Sequence, residues 1–426
     1  MSPSPDLSAA IAADARLQEE FDALCDFGGR LAGTQAEADA MAYVAARGAL
    51  ATGVPCRMVP VSYGGWRGGA AGLDFADGST APCHPLVRSR PTSPEGLEAE
   101  VLDLGRGTPE EFEAHRDEIA GRIVLVRHEL MFVAGTIHRR RKYNWALEAG
   151  AVGFLIAGPV PGGLVAGSSG RSGDEPGIPA AGIAPETAAR LARTAAGRPK
   201  VLLHIDAQDV PGETSTLLFD LPGQGPDLVV LSAHVDGHAL NESALDNASG
   251  VAVALAVMRA VAPHVAGFRR GVRLAFFSAE EWALTGSAQY VAGLAPQERE
   301  RIALNINLDT VVGGRRHAAL TSGYGALEPF LLRAAEGGGH ALRCVRPFLQ
   351  NSDHANFAAA GIPAFRLVAG YDEPDAAVRF VLTPQDMRDK VLPGELARAT
   401  ELAATLLLAA CAAPPEEAAG WRVMSA

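Results

Sequence analysis

Between Ser8 and Gly28, apolar side chains recur at helical spacing (Ile11, Leu17, Phe21, Leu24, Cys25), which predicts a helix. The segment Gly29-Arg30-Leu31-Ala32-Gly33 breaks that pattern. Thr34 with Glu37 three residues on then has the form of a capping box, opening a helix that runs to about Ala51. A strand is predicted near Pro55 to Val61, after which the alternation of helix and strand lapses until about residue 205. Within that Gly- and Pro-rich stretch, Gly121–Arg127 and Ala151–Ile156 read as strands, Arg140–Gly150 reads as a helix, and Ile178–Ile183 precedes a helix over Pro185–Ala196. These form a small α+β unit of the size of an inserted domain.

From Thr214 the pattern becomes regular. Leu228–Ala233, Arg273–Phe277, Arg301–Leu308, Ala318–Thr321 and Ala364–Val368 are short apolar runs, the mark of strands covered on both faces. Helices at about Ser249–His264, Ala326–Glu336, Ala355–Ala360 and Glu395–Cys411 fall between or after them. The pattern predicts an α/β fold, a three-layer sandwich with a mostly parallel mixed sheet, whose function lies at strand C-terminal ends. The expected division is a catalytic domain of residues 1–62 and 206–426, with residues 63–205 inserted.

Composition narrows the partners. The 426 residues are 48% hydrophobic and 20% charged, a globular balance, and no uninterrupted apolar run is long enough to span a membrane. A net charge of −12 argues against nucleic acid, whose phosphates recruit Lys and Arg. The basic run Arg139-Arg140-Arg141-Lys142 is expected to be a solvated helix face, the alternative being contact with a substrate carboxylate. Five scattered cysteines without a CxxC pair are expected to be free thiols in a reducing compartment. The first 20 residues lack the basic and apolar pattern of a leader, so the expected location is the cytoplasm. The expected partner is a small-molecule substrate, with neither nucleic acid nor membrane; assembly as a homo-oligomer is left open.

Chemistry is concentrated in five segments, each directly after a predicted strand or at a helix start. They are His234-Val235-Asp236, Asp246-Asn247-Ala248-Ser249-Gly250, Glu280-Glu281, Asn307-Leu308-Asp309 and Ser352-Asp353-His354. A carboxylate at a strand end is ordinarily a solvated cap, but an open α/β sheet aims its strand ends at one crevice. His234, Asp246, Asp309 and Glu281 are therefore candidate ligands of a divalent metal such as zinc or manganese. Glu280 is left free as a general base, and Asp236 is placed to orient a ligand. Trp282 and Trp145 are expected to be packing residues.

This set, with Gly286-Ser287 and the Gly29–Gly33 segment, resembles the co-catalytic zinc aminopeptidase family, and residues 63–205 resemble its protease-associated insert. The resemblance implies that Asp246 bridges two metals, Glu280 is the base, Glu281 serves one metal, and His234 and Asp309 serve the other. One departure stands out: Leu382 occupies the place of a further ligand histidine, and an aliphatic side chain cannot coordinate a cation. A single ion per chain is therefore expected; His354 and then His238 are candidates to replace the lost ligand or to contact substrate, although the pattern calls for neither, and Arg315 and Arg316 are candidate contacts for an anionic substrate. The expected reaction is hydrolysis of a C–N bond by a metal-activated water. The preferred substrate is a small aromatic amine such as 5-nitroanthranilate, deaminated by an aminohydrolase, because a para nitro group accepts charge that a second ion would otherwise stabilise. The alternative is an intracellular metal-dependent aminopeptidase, and the third reading is a non-catalytic binding protein of the same fold.

Overall fold

The computed structural model describes residues 9–11, 13–171, 175–193 and 198–424. Ser8 and Ala196, at the outer ends of two expected helices, lie outside the described residues. The chain folds as two compact units: Met1–Val61 with Thr214–Val381 and Asp386–Ala426, and Ser62–Glu213 with Leu382–Gln385.

The second unit is built on β1 (Arg57–Phe75), β2 (Thr80–Pro85), β3 (Leu97–Asp103), β4 (Ile123–Arg127), β5 (Gly153–Ala157), β6 (Ala180–Ile183) and the first part of β7 (Lys200–Leu221). The strand order is β1-β2-β6-β5-β4-β3-β7, and β1 also pairs with β7, so the sheet closes on itself. The apolar runs seen in the sequence are buried on both faces. Ile123 and Leu125 of β4 enter one core with Leu155 and Ala181, while Val124 and Val126 enter another with Phe154 and Ile156.

Three expectations change here. β1 extends far beyond Val61, because the glycines at 64, 65, 68, 69 and 72 hide a strand that is exposed at many positions. The unit reaches Glu213 rather than residue 205, since β7 runs unbroken through that point and also pairs with β1. The basic helix, observed as Arg139–Glu148, is solvated on one side only. Lys142 is fully buried and its ammonium donates to the Arg106 carbonyl at 2.6 Å, the Arg127 carbonyl at 2.9 Å and Glu129 at 2.6 Å. Trp145 does pack, edge-on against Phe112 with ring centres 5.5 Å apart.

In the first unit the sheet runs β7-β9-β8-β10-β13-β11-β12, where β8 is Leu228–His234, β9 Gly271–Phe277, β10 Ile302–Leu308, β11 His317–Leu320, β12 Leu342–Val345 and β13 Ala364–Ala369. The four central strands β9, β8, β10 and β13 are parallel, and β7 and β11 join antiparallel. β12 has no sequence signal beyond Leu-Arg-Cys-Val and is carried by its parallel pairing to β11. Ser249–Val261, apolar nearly all round, packs on β8 and β10 and against Ala15–Asp26, Gln35–Thr52 and Glu395–Ala412. The surrounding stretch Ala244–Gly267 is long and apolar enough to cross a membrane by composition; in this fold it is a core element. A second helix group, His354–Ala359 with Thr285–Ala292, packs at β10 and β13. The register sets His234 beside Phe277 and Leu308 beside Leu367, so the C-terminal ends of the parallel strands lie next to one another.

Candidate metal centre

Three of the expected ligands converge at those strand ends. His234 closes β8, Asp309 follows β10, and Asp246 lies in the loop before Ser249–Val261. Each offers a ligand atom, and all three atoms lie within 4.8 Å of one another. His234 Nε2 stands 3.1 Å from Asp246 Oδ1 and 3.7 Å from Asp309 Oδ1. Donors around one tetrahedral zinc ion sit about 2 Å from it and thus about 3.3 Å from each other, which these separations bracket.

The tautomer of His234 is set from behind. Its Nδ1 donates to the Asp236 main-chain oxygen at 3.1 Å, which leaves the Nε2 lone pair facing two carboxylates. Such an arrangement calls for positive charge among the three groups, a proton on that nitrogen or a metal ion, and the donor set fits a divalent metal. The charges around His234 say the same. Burial works against an imidazolium, yet Glu280, Asp236, Asp246 and Asp309 together hold its pKa well above the usual histidine range. Burial and the charges of Glu281, Asp353 and Asp309 push the Glu280 carboxyl well up, and burial with Asp246, Asp236 and Asp309 does so for Glu281.

Asp236 ties the ligand strand to the paired glutamates. Its Oδ1 accepts from the Glu280 amide and its Oδ2 from the Glu281 amide, both at 3.1 Å. Asp309 is held on both oxygens: Oδ1 accepts from Arg366 Nη2 at 2.9 Å and Thr310 Oγ1 at 3.0 Å, and Oδ2 from Ser352 Oγ. Burial would raise its pKa, but Arg366, His234 and Ser352 win and hold the carboxyl far below the ordinary range. His234 and Asp309 are closed off, whereas Asp246 and Glu280 each keep 8% of their surface open. Glu281 is more open still, so approach to the centre is from the side of Asp246 and the paired glutamates.

Several supporting residues escaped the sequence reading. Arg30 is fully buried, and its guanidinium donates to the carbonyls of Val235, Leu24, Gly28, Glu242 and Ser243. It thereby clamps the loops leading to Asp236 and Asp246. Gly29 beside it must be glycine, because a Cβ there would lie 2.6 Å from both the His238 oxygen and Ala239 Cα. Asp386 supports the Asp246 loop, accepting from the Leu245 amide at 2.7 Å and the Asp246 amide at 3.3 Å. Asn247, joined to Asp246 by a cis peptide, donates to the Leu308 carbonyl at 2.8 Å. Thr34 caps its helix as expected, but Glu37 does not complete the box; it accepts instead from Ser278 and Thr214, each at 2.6 Å.

The remaining candidates are placed differently. His238 is buried with its Nε2 2.7 Å from Glu281 Oε2. His354 is a buried imidazole at the start of its helix, outside the three-residue ligand group; burial and Arg366 push its pKa down to about 3. The structure thus sets His238, not His354, against Glu281. Arg315 and Arg316 point into solvent, 89% and 70% exposed, and their amides and side chains face Glu373 rather than the ligand group. Trp282 is fully buried, a packing residue.

Comparison with known proteins shows what this architecture is. Residues 216–407 match the profile of Peptidase family M28, and residues 84–191 match that of the PA domain. Aminopeptidase YwaD of Bacillus subtilis is 27% identical over 333 residues, covering 74% of this chain and 67% of that protein. The probable lipoprotein aminopeptidase LpqL of Mycobacterium tuberculosis is 26% identical over 335 residues, covering 72% of this chain and 63% of that protein. The chain thus spans about two thirds of the length of these two relatives. Among solved structures, a zinc aminopeptidase from Bacillus subtilis superposes with a TM-score of 0.73 at 24% identity, covering 92% of this chain and 93% of that one. A Peptidase M28 precursor from Shewanella amazonensis gives a TM-score of 0.78 at 20% identity, covering 96% of each chain; these two likenesses concern the fold. The relatives overturn the expected aminohydrolase of an aromatic amine: the curated matches are aminopeptidases, which is the alternative reading. By these matches the unit that holds the ligand cluster is similar to Peptidase family M28, and the other unit contains a stretch similar to the PA domain.

Proposed function

We propose that the protein is a metal-dependent aminopeptidase, hydrolysing the amide bond next to a free N-terminal amine, with one resident divalent ion per chain. The observation that carries this is the buried group of His234, Asp246 and Asp309 with Glu280 beside it on the accessible side. A divalent ion held by His234, Asp246 and Asp309 would supply Lewis-acid polarisation at the scissile bond. The role of Glu280 is to take a proton from the attacking water and deliver it to the departing amine, the two halves of general acid–base catalysis. Asp236 holds His234 and the Glu280 amide in one frame, so base and ligand keep a fixed relation. Support for a single ion comes from two facts: one three-ligand group is assembled among the described residues, and Leu382 is no ligand.

The test is direct. Protein stripped with a chelator is reloaded with zinc or, separately, manganese and given leucyl-p-nitroanilide. Release of p-nitroaniline that needs the ion, with about one equivalent bound, is expected. Failure to cleave any aminoacyl-p-nitroanilide at full ion occupancy would sink the aminopeptidase reading, and two tightly bound equivalents would sink the single ion.

A further inference from the structure

Arg366 projects from β13 into the rear of the ligand group and is 4% exposed. Its Nη2 donates to Asp309 Oδ1 at 2.9 Å and Thr310 Oγ1 at 3.1 Å, its Nε to the Asp309 carbonyl at 3.2 Å, and its Nη1 to the Asn351 carbonyl at 2.7 Å. The oxygen it grips is the one that faces His234 Nε2. The guanidinium and an ion among the three ligands would therefore share a single carboxylate oxygen.

That sharing changes the charge balance. One neutral imidazole and two carboxylates cancel a divalent ion; the guanidinium adds one positive charge directly on the ligand group, set against the neighbouring carboxylates of Asp236, Glu280 and Glu281. In a buried site such a charge is poorly screened. It stabilises the negative charge that develops on the carbonyl oxygen during attack, and it repels the ion.

We propose that Arg366 is a positioning residue that acts through Asp309, trading tightness of ion binding for polarising power and supplying the positive charge that a second ion would otherwise bring. This rests on the metal reading of the site given above. Arg366 touches neither substrate nor reacting atoms, so its signature differs from that of a base or a ligand.

The experiment measures zinc affinity by competition with a chromogenic chelator, and kcat and KM on leucyl-p-nitroanilide, in the full-length wild type, Arg366→Gln and Arg366→Lys. With the charge removed, Arg366→Gln is expected to bind zinc about tenfold more tightly while kcat falls about tenfold and KM stays within about threefold. Arg366→Lys keeps the charge and loses the fork, so its zinc affinity is expected within about threefold of wild type. Zinc bound equally or more weakly by Arg366→Gln overturns the proposal. If that variant does not fold, Arg366→Lys decides alone: a loss of affinity of about tenfold or more means that the fork merely orients Asp309, and overturns the proposal. A wild type that takes up no zinc strikes the metal reading itself, which separates the two failures.

Discussion

The two sides of the centre hold the same kinds of residue and are built differently. On the His234 side every ligand has a fixed support: the Asp236 carbonyl behind His234, Asp386 beneath the Asp246 loop, and Arg366, Thr310 and Ser352 around Asp309. On the Glu281 side the amide is anchored by Asp236, but the carboxylate lies against His238, and the chain has Leu382 where its resemblance calls for a histidine. The lesson is that a metal site is recognised by the groups that hold its ligands still as much as by the ligands. Carboxylates alone are common at strand ends; a carboxylate gripped on both oxygens is not.

The sharpest break of this contrast is His234→Ala. It removes the nitrogen donor from the supported side, and zinc content by elemental analysis is expected to fall from about one equivalent to nearly none, with activity lost. Glu280→Gln comes next: zinc content unchanged, kcat down by about a thousandfold, as for removal of a general acid–base group. Retained turnover in that variant would remove Glu280 as the base. Ser352→Ala takes one support from Asp309 and is expected to weaken zinc binding by about tenfold, the lower end of what such outer partners contribute; a chelator titration reads it. Arg30→Met leaves five carbonyls without their donor and is expected to lower unfolding stability by about 3 kcal/mol in a urea titration. Glu281→Gln is the mildest at the centre: zinc stoichiometry stays at about one and kcat falls by less than about tenfold. A drop in bound zinc there would erase the contrast between the sides.

Much of this was legible in the chain. The apolar runs ending in His234, Glu280 and Asp309 mark strands whose C-terminal ends meet, and residue type plus position sufficed to collect them. Residues whose value lies in contacts across long stretches of chain were not legible. Arg30 reaches Val235 and Ser243 over 205 and 213 positions, and Asp386 reaches Leu245 over 141. The Gly29–Gly33 segment marks Arg30 as part of a resemblance, but no local pattern shows which carbonyls it reaches. Leu382 was visible as a departure, but the weight it carries depends on His238, whose proximity to Glu281 only the fold reveals. The Gly-rich β1 was missed because its glycines mimic a loop.

The support beneath Asp309 continues inward as a hydrogen-bonded row. Asn305 donates to Ser232 at 2.9 Å, Ser232 to Asn307 at 2.8 Å, Asn307 to Ser352 at 2.7 Å, and Ser352 to Asp309. Ser232, Asn307 and Arg366 are register partners on β8, β10 and β13, polar marks in strands that are otherwise mostly aliphatic. Sliding one strand by a single residue would flip its mark to the opposite face and strand a hydroxyl or amide among aliphatic groups. The row thus acts as an alignment key during assembly: aliphatic replacements along it would spare much of the burial and allow the strands to settle out of frame.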